Sequence, residues 1–253
     1  MEDHPKEQGE EEELKEESEN EEQDNFETPS KTPSKSPLKT SSKTPSKFVQ
    51  KNHPEGLVID DIIFGGSKNQ MCEEFASNMQ KEFEMSMLGE ISFFLGLQIS
   101  QSDKGIFLSQ TKYVREMLKG FRFEDCHPIS TPMVTGCKLS KNDESPDANQ
   151  TQYRSMIGSL LYVTTTRLDI MQAVGVATWY QAAPKKTHVQ VVKRIFKYLK
   201  GTMDFGLWYP KCDDFTLRAY TNVDWAGDKD DSKSTSGGAF LLGNNLVSWL
   251  SKK

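Results

Sequence analysis

Two apolar triplets, Leu57-Val58-Ile59 and Ile62-Ile63-Phe64, enclose the adjacent carboxylates Asp60 and Asp61, and a Gly pair follows at Gly65 and Gly66. Apolar run, charged tip, apolar run predicts a β-hairpin over residues 57–66 that presents both acids at its turn. Cys72, Phe75, Ala76 and Met79 then recur at the i, i+3, i+4, i+7 spacing of one helix face, extended by Phe83, which predicts a helix packed under the hairpin. Residues 91–99 read as one continuous apolar strand with Gly96 inside it. Residues 105–108 begin another after a turn at Ser102, Asp103 and Lys104. Ser109, Gln110 and Thr111 open a helix with Val114, Met117, Leu118 and Phe121 on one face and a stop between Gly120 and Arg122. Residues 124–150 form an irregular connector. The pattern from Tyr153 to Ala183 is mostly helical, broken at residues 164–169. Residues 185–200 give the clearest amphipathic helix, with Val192, Ile195, Phe196 and Leu199 on one side and Lys186, Lys193, Lys197 and Lys200 on another. Strands at residues 205–209, 215–223 and 238–249 follow, separated by Asp213-Asp214 and by a solvated polar loop over residues 228–236 that carries Asp228, Asp230 and Asp231. The elements add up to an α+β fold.

Composition changes the picture at the start of the chain. A mean hydropathy of −0.65 and 35% hydrophobic residues are low for 253 residues folded throughout. Residues 1–56 hold 15 Asp and Glu against 8 Lys and Arg, so the net charge of −6 arises there and the remainder is close to neutral. Up to Asn25 the only large aliphatic side chain after Met1 is Leu14, too little burial to offset chain entropy, and a disordered tail is predicted. Residues 28–47 are five tetrads each ending in Lys, four with Ser or Thr followed by Pro, which predicts an extended basic linker. That linker reads as a solvated spacer, as a target for a proline-directed kinase, or as a basic arm touching nucleic-acid phosphates. Residues 48–56 read as its tail. Cys72, Cys126, Cys137 and Cys212 are widely spaced, which suggests neither a disulfide scaffold nor a zinc site. No apolar run reaches the length of a membrane span and the first thirty residues are acidic, so the expectation is an intracellular protein with no signal peptide and no membrane partner.

Candidate chemistry is narrow. Paired carboxylates at a hairpin tip make either a polar turn or a seat for a divalent cation facing a phosphate. A lysine stripe on a helix is either a solvated face or a track for a phosphate backbone. His4, His53, His127 and His188 are scattered and no Ser or Cys stands in a nucleophile elbow, so nucleophilic catalysis finds no support, and Gly65-Gly66 is not followed by a Gly-Lys-Ser pattern, which excludes a phosphate loop.

Residues 57–66 resemble the Asp-Asp hairpin of reverse transcriptases from copia-type retrotransposons. Further segments resemble the same polyprotein in the same order: Gln80-Lys81-Glu82-Phe83-Glu84-Met85-Ser86, Phe94-Leu95-Gly96-Leu97-Gln98-Ile99, Gly158-Ser159-Leu160-Leu161-Tyr162, residues 192–202 and Asp224-Trp225-Ala226-Gly227-Asp228. The resemblance implies a linker over residues 1–56, a partial reverse-transcriptase palm over 57–108, a helical thumb and connection over 109–204, and a truncated ribonuclease H-like β-sheet over 205–253. It implies Mg2+ as cofactor, Asp60 and Asp61 as the metal-binding polymerase pair, and an RNA/DNA template–primer as partner, contacted by Lys186, Lys193, Lys197 and Lys200. It aligns Asn222 with the first ribonuclease H carboxylate, with Asp224 beside it. The chain also departs from the family: the fingers and the palm strand with a further bridging Asp are missing between Gly56 and Leu57, Val58 stands for Tyr, Leu168 for Pro, and Asn222 for Asp. The sequence also stops at Lys253, before the ribonuclease H fold's first long helix. Two-metal catalysis needs a carboxylate cage for ions about 3.5–4 Å apart. Too few carboxylates remain, and the expectation is a region derived from an RNA-directed DNA polymerase and ribonuclease H that is inactive alone. The alternative is a non-catalytic nucleic-acid-binding protein using helix 185–200 and linker 28–47.

Overall fold

The structure, a computed structural model, describes residues 48–51, 61–66 and 68–253. The acidic tail, the tetrad linker, the first hairpin strand at residues 57–59 and Asp60 lie outside the described residues. What is described is mixed helix and antiparallel sheet.

The first sheet has three strands in the order β2-β1-β3: β1 Phe48–Lys51, β2 Asp61–Ile63 and β3 Met85–Gly89. Residues 48–51, read from sequence as spacer, are therefore its central strand, with Phe48 opposite Ile63, Val49 opposite Ile62 and Gln50 opposite Asp61. Phe48-Val49 supplies the β-branched and aromatic character that a strand favours, a signal too short to stand out after the linker. Helix α1, Asn69–Glu82, buries Cys72 and Ala76. Phe75 meets Phe64 with ring centroids 4.7 Å apart, which brings the helix to the end of β2. Phe83 follows the helix as its C-cap and stays exposed, so the apolar stripe is only half covered.

The second sheet runs β4-β5-β6-β7, with β4 Phe93–Phe94, β5 Leu97–Ser102, β6 Gly105–Ser109 and β7 Gly206–Pro210. Residues 91–99 are thus a hairpin and not one strand. Phe94 pairs with Leu97, and the two loop residues Leu95 and Gly96 both take positive φ, 46° and 79°, as a tight hairpin turn requires. The Tyr162 hydroxyl donates to the Leu95 carbonyl and occupies the space a side chain at position 96 would need. The turn predicted at Asp103 and Lys104 is present between Ser102 and Gly105. Strand β7 pairs with β6, Trp208 opposite Phe107, so residues 206–210 join this sheet and not the strands that follow them.

Helices α2 Thr111–Gly120, α3 Gln150–Val163, α4 Met171–Thr178 and α5 Lys186–Gly201 hold the core, and the irregular connector expected over residues 124–150 runs between α2 and α3, ending at Asn149. Val114, Ile157, Leu160, Val174, Val192, Ile195, Phe196 and Leu199 are all buried. Each such aliphatic or aromatic side chain contributes roughly 1.5–3 kcal/mol over its exposed state. Phe121 and Phe123 close over Phe196 with centroids 5.2 and 5.0 Å away. Asn149 caps α3 by accepting from the Gln152 N–H, and His188 Nδ1 accepts from the Lys185 N–H at the start of α5.

A third sheet, order β10-β9-β8, comprises β8 Leu217–Asp224, β9 Thr235–Leu242 and β10 Asn245–Lys252. The segment predicted as one strand over residues 238–249 is a hairpin turning at Gly243 and Asn244, with Gly243 at φ 61°. Strand β10 docks on the helices: Trp249 Nε1 donates to the Thr164 carbonyl, and Lys253 Nζ lies 4.4 Å from the Trp179 ring centre. Strand β8 is an outer edge, and all eight of its residues are exposed.

Candidate nucleic-acid interface and remnant carboxylates

The lysines of α5 lie seven, four and three residues apart, which sets Lys186, Lys193, Lys197 and Lys200 along one side of the helix. The opposing stripe, Val192, Ile195, Phe196 and Leu199, is buried and fixes which side faces outward. Lys186 and Lys193 are exposed, while Lys197 and Lys200 are half-buried beside the connector. Burial pushes the Cys126 thiol there up, and the two ammonium groups pull it back. Arg194 Nη2 donates to Thr131 Oγ1 at 3.0 Å, tying the helix to the same connector. With a rise of about 1.5 Å per residue the stripe spans about 21 Å.

The carboxylates are not gathered. Asp61 opens β2 opposite Gln50, and Asp60 lies outside the described residues. Asn222 and Asp224 are on one face of β8, in a different sheet. Asn222 Oδ1 accepts from the neighbouring Val223 N–H at 2.9 Å, which turns its amide oxygen toward the main chain. Asp224 ends the strand opposite Thr235, and its carboxylate fills the space where any side chain on Gly227 would begin. Among the described residues no three His, Cys, Asp or Glu side chains group so as to hold a metal ion. The divalent ions associated with reverse transcriptases do not fit this described donor set, which gathers no carboxylate cage.

The acidic loop differs from expectation. Asp228, Asp230 and Asp231 were predicted in a solvated loop, yet Asp228 is buried and accepts from the Asp230 and Asp231 N–H groups. Lys253 Nζ bridges it to Asp231, 3.0 Å away. Burial works against the Lys253 charge, but hydrogen bonds to Asp228 and Asp231 outweigh it and raise the ammonium pKa. Asp230 reaches the connector, accepting from Ser140 Oγ at 2.5 Å and Lys141 N at 2.8 Å, and the Ser140 hydrogen bond leads the causes that lower its pKa. The loop is anchored because its acids find donors from the connector and from the residue after β10, partners distant in sequence.

A network around a buried arginine escaped the sequence reading. Arg167, 2% exposed, donates to Asp169 and, through Nη1 at 2.7 Å and Nη2 at 2.6 Å, to the Thr202 carbonyl and hydroxyl. Tyr198 adds a 2.7 Å bond to Asp169. Burial alone would raise the Asp169 pKa, but the Arg167 and Tyr198 hydrogen bonds hold it below the usual carboxylate value. The only signal was the helical break at residues 164–169, where Arg and Asp sit two apart. Arg167 also walls a cavity of about 550 Å³ between Phe107, Phe205, Leu207 and Leu246, with its guanidinium turned to Asp169 and Thr202.

The family described as reverse transcriptase (RNA-dependent DNA polymerase) matches residues 47–135, beginning one residue before β1. The chain is 35% identical over 195 residues to the retrovirus-related Pol polyprotein from transposon RE1 of Arabidopsis thaliana, and the match covers 77% of the chain and 13% of that protein. It is 34% identical over 205 residues to the Pol polyprotein from transposon TNT 1-94 of Nicotiana tabacum, covering 78% of the chain and 15% of the relative. It is also 35% identical over 198 residues to an uncharacterized mitochondrial protein of Arabidopsis thaliana, covering 78% of the chain and 82% of that protein. The chain therefore spans about an eighth of the RE1 polyprotein but most of the mitochondrial protein. No solved structure matches it. No helix among the described residues is long and apolar enough to cross a membrane. A reverse-transcriptase match that starts at the first described strand, and Pol similarity over about three quarters of the chain, make this protein a member of the copia-type retrotransposon Pol family, representing its reverse transcriptase-like region.

Proposed function

We propose that this chain is a palm, connection and ribonuclease H-like part of a copia-type Pol that engages an RNA/DNA template–primer but does not polymerise or cleave by itself. In this reading residues 57–108, with β1 added, are the palm remnant, residues 109–204 the thumb and connection, and residues 205–253 the start of a ribonuclease H-like segment. Asp60 and Asp61 are the surviving polymerase pair, too few carboxylates to seat the family's Mg2+, while Asn222 and Asp224 are what remains of the hydrolytic site. The observation that carries the reading is the reverse-transcriptase match over residues 47–135, within which Asp61 opens a paired strand. Inactivity is supported by the direct joining of residues 56 and 57 where the family carries another metal-bridging acid, and by the amide at Asn222. Primer extension with Mg2+ tests it: incorporation by the whole chain equals that of the Asp60→Asn, Asp61→Asn double variant. Incorporation above that variant overturns inactivity.

A second reading, a nucleic-acid-binding protein without catalysis, is favoured by the lysine stripe of α5, which the buried opposite side holds outward. Binding to an RNA/DNA hybrid measured against salt concentration tests it. Four phosphate contacts give a log–log slope of about −3 to −4. A flat salt response rejects it.

A further inference from the structure

His188, in the first turn of α5, is fully buried, and each of its ring nitrogens has a partner. Nδ1 accepts from the Lys185 N–H at 3.0 Å, and Nε2 lies 3.0 Å from the Ser140 carbonyl, which can only accept. Together the two contacts fix the neutral ring with its proton on Nε2. Tyr180, just beyond α4, stacks on the ring with centroids 3.9 Å apart. Ser140 is a joint in its own right. Its carbonyl takes the imidazole, while its hydroxyl and the Lys141 N–H both donate to Asp230 in the loop between β8 and β9. One imidazole therefore ties the start of α5 to the connector at the point where the connector holds the third sheet. Main-chain bonds continue the strap, from the Lys186 N–H to the Pro146 carbonyl and from the Ala148 N–H to the Pro184 carbonyl.

We propose that His188 is a proton-operated latch, and that protonation at Nδ1 breaks its bond to the Lys185 N–H and frees the connector around Ser140 from α5. Nε2 already carries a proton, so a second one can go only to Nδ1. There it meets a backbone N–H 3.0 Å away, and donor faces donor. The groups around the ring pull both ways. Asp143 on the connector and Asp230 in the β8–β9 loop favour the proton, Lys185 on the same helix opposes it, and burial holds the Tyr180 phenol neutral. Burial of the imidazole is the largest influence and sets the His188 pKa below its ordinary value. Hydrogen bonds from Ser145 to Asp143 and from Ser140 to Asp230 keep both acids below the usual carboxylate range, so they stay charged while the imidazole titrates. A group whose folded pKa lies below its unfolded value adds stability above that unfolded value, near 6.5 for histidine, and loses it as pH falls through the folded one. The latch is therefore closed at neutral pH and opens on acidification. It uses none of the residues assigned above to nucleic acid or metal.

Two measurements on the whole chain test the proposal. Nitrogen-15 NMR of the His188 ring is expected to show Nε2 protonated and Nδ1 bare at pH 7.5, with the imidazole titrating below pH 6.5. Hydrogen exchange from pH 7.5 to pH 5, normalised to unstructured amides, is expected to show residues 140–148 and the first turn of α5 losing protection. The loss is up to about tenfold per pH unit below pH 6.5, as linkage to one proton requires, and it levels off where the imidazole itself titrates. Strands β5 and β6 keep their protection over the same range. His188→Asn retains an acceptor for the Lys185 N–H but has no proton to gain, so its connector exchange is flat with pH. Nδ1 found protonated at pH 7.5, connector protection in the unsubstituted chain that does not change with pH, or a pH dependence that survives His188→Asn overturns the proposal.

Discussion

The most demanding single residue is Arg167, a guanidinium buried to 2% exposure whose donors go to Asp169 and Thr202. Asp169 is 34% exposed, so the charge left behind keeps part of its water and its loss of partner costs less than the roughly 3–5 kcal/mol of a fully buried pair. Arg167→Met is therefore expected to lower the urea midpoint. Asp169→Leu placed on top of it recovers part of the loss, and a double-mutant cycle in urea measures the coupling. The pH dependence follows from the depressed Asp169 pKa. A carboxyl whose folded pKa lies below its unfolded value adds stability above that unfolded value, near 4, and loses it as pH falls through the folded one. The wild-type midpoint should thus drop below about pH 4 by more than that of Asp169→Asn, which has no such proton to take up. None of this was legible in the sequence. Arg167 and Asp169 sit in a break between helices, where no periodicity marks burial, and Thr202 lies 35 residues away from Arg167.

At the scale of elements, strong periodicity was read correctly and short apolar runs were not. The faces of α2 and α5 are buried as their spacing predicts, because several side chains on one side of a helix can be covered only by a neighbouring element. Residues 91–99 failed because an apolar run looks alike in one strand or two, and the turn depends on a left-handed Leu95 that composition does not announce. Gly96→Ala is expected to destabilise by at least about 1–2 kcal/mol, since φ is positive and Tyr162 fills the space. Leu95→Asn, at an exposed position with φ 46°, is expected to stabilise by about 0.5–1 kcal/mol. Thermal unfolding of the two variants reads both signs. For α5, Lys193→Ala and Lys200→Ala are each expected to flatten the salt slope of hybrid binding by about one while leaving the helix content of the chain unchanged.

For the whole molecule, the resemblance seen in ordered motifs along the chain agrees with the Pol relatives that match over about three quarters of it. The layout of sheets was harder to read, because strand partners are set by contacts far apart in sequence. Strand β7 joins β6 across about a hundred residues, and Asp230 reaches Ser140 across 90. Lys253→Ala tests how the third sheet is held. It leaves the Asp228 carboxylate, 3% exposed, without its cation and should loosen β10 from α4, seen as faster amide exchange in β9 and β10. The first sheet carries a different consequence. Its middle strand comes from ahead of the seam between residues 56 and 57, and both β2 and β3 bond to it. Backbone pairing therefore ties β2 to a strand that lies ahead of residue 56: a polypeptide begun at Leu57 would leave Asp61 and its neighbours with nothing to zip against, and proteases would find α1 first.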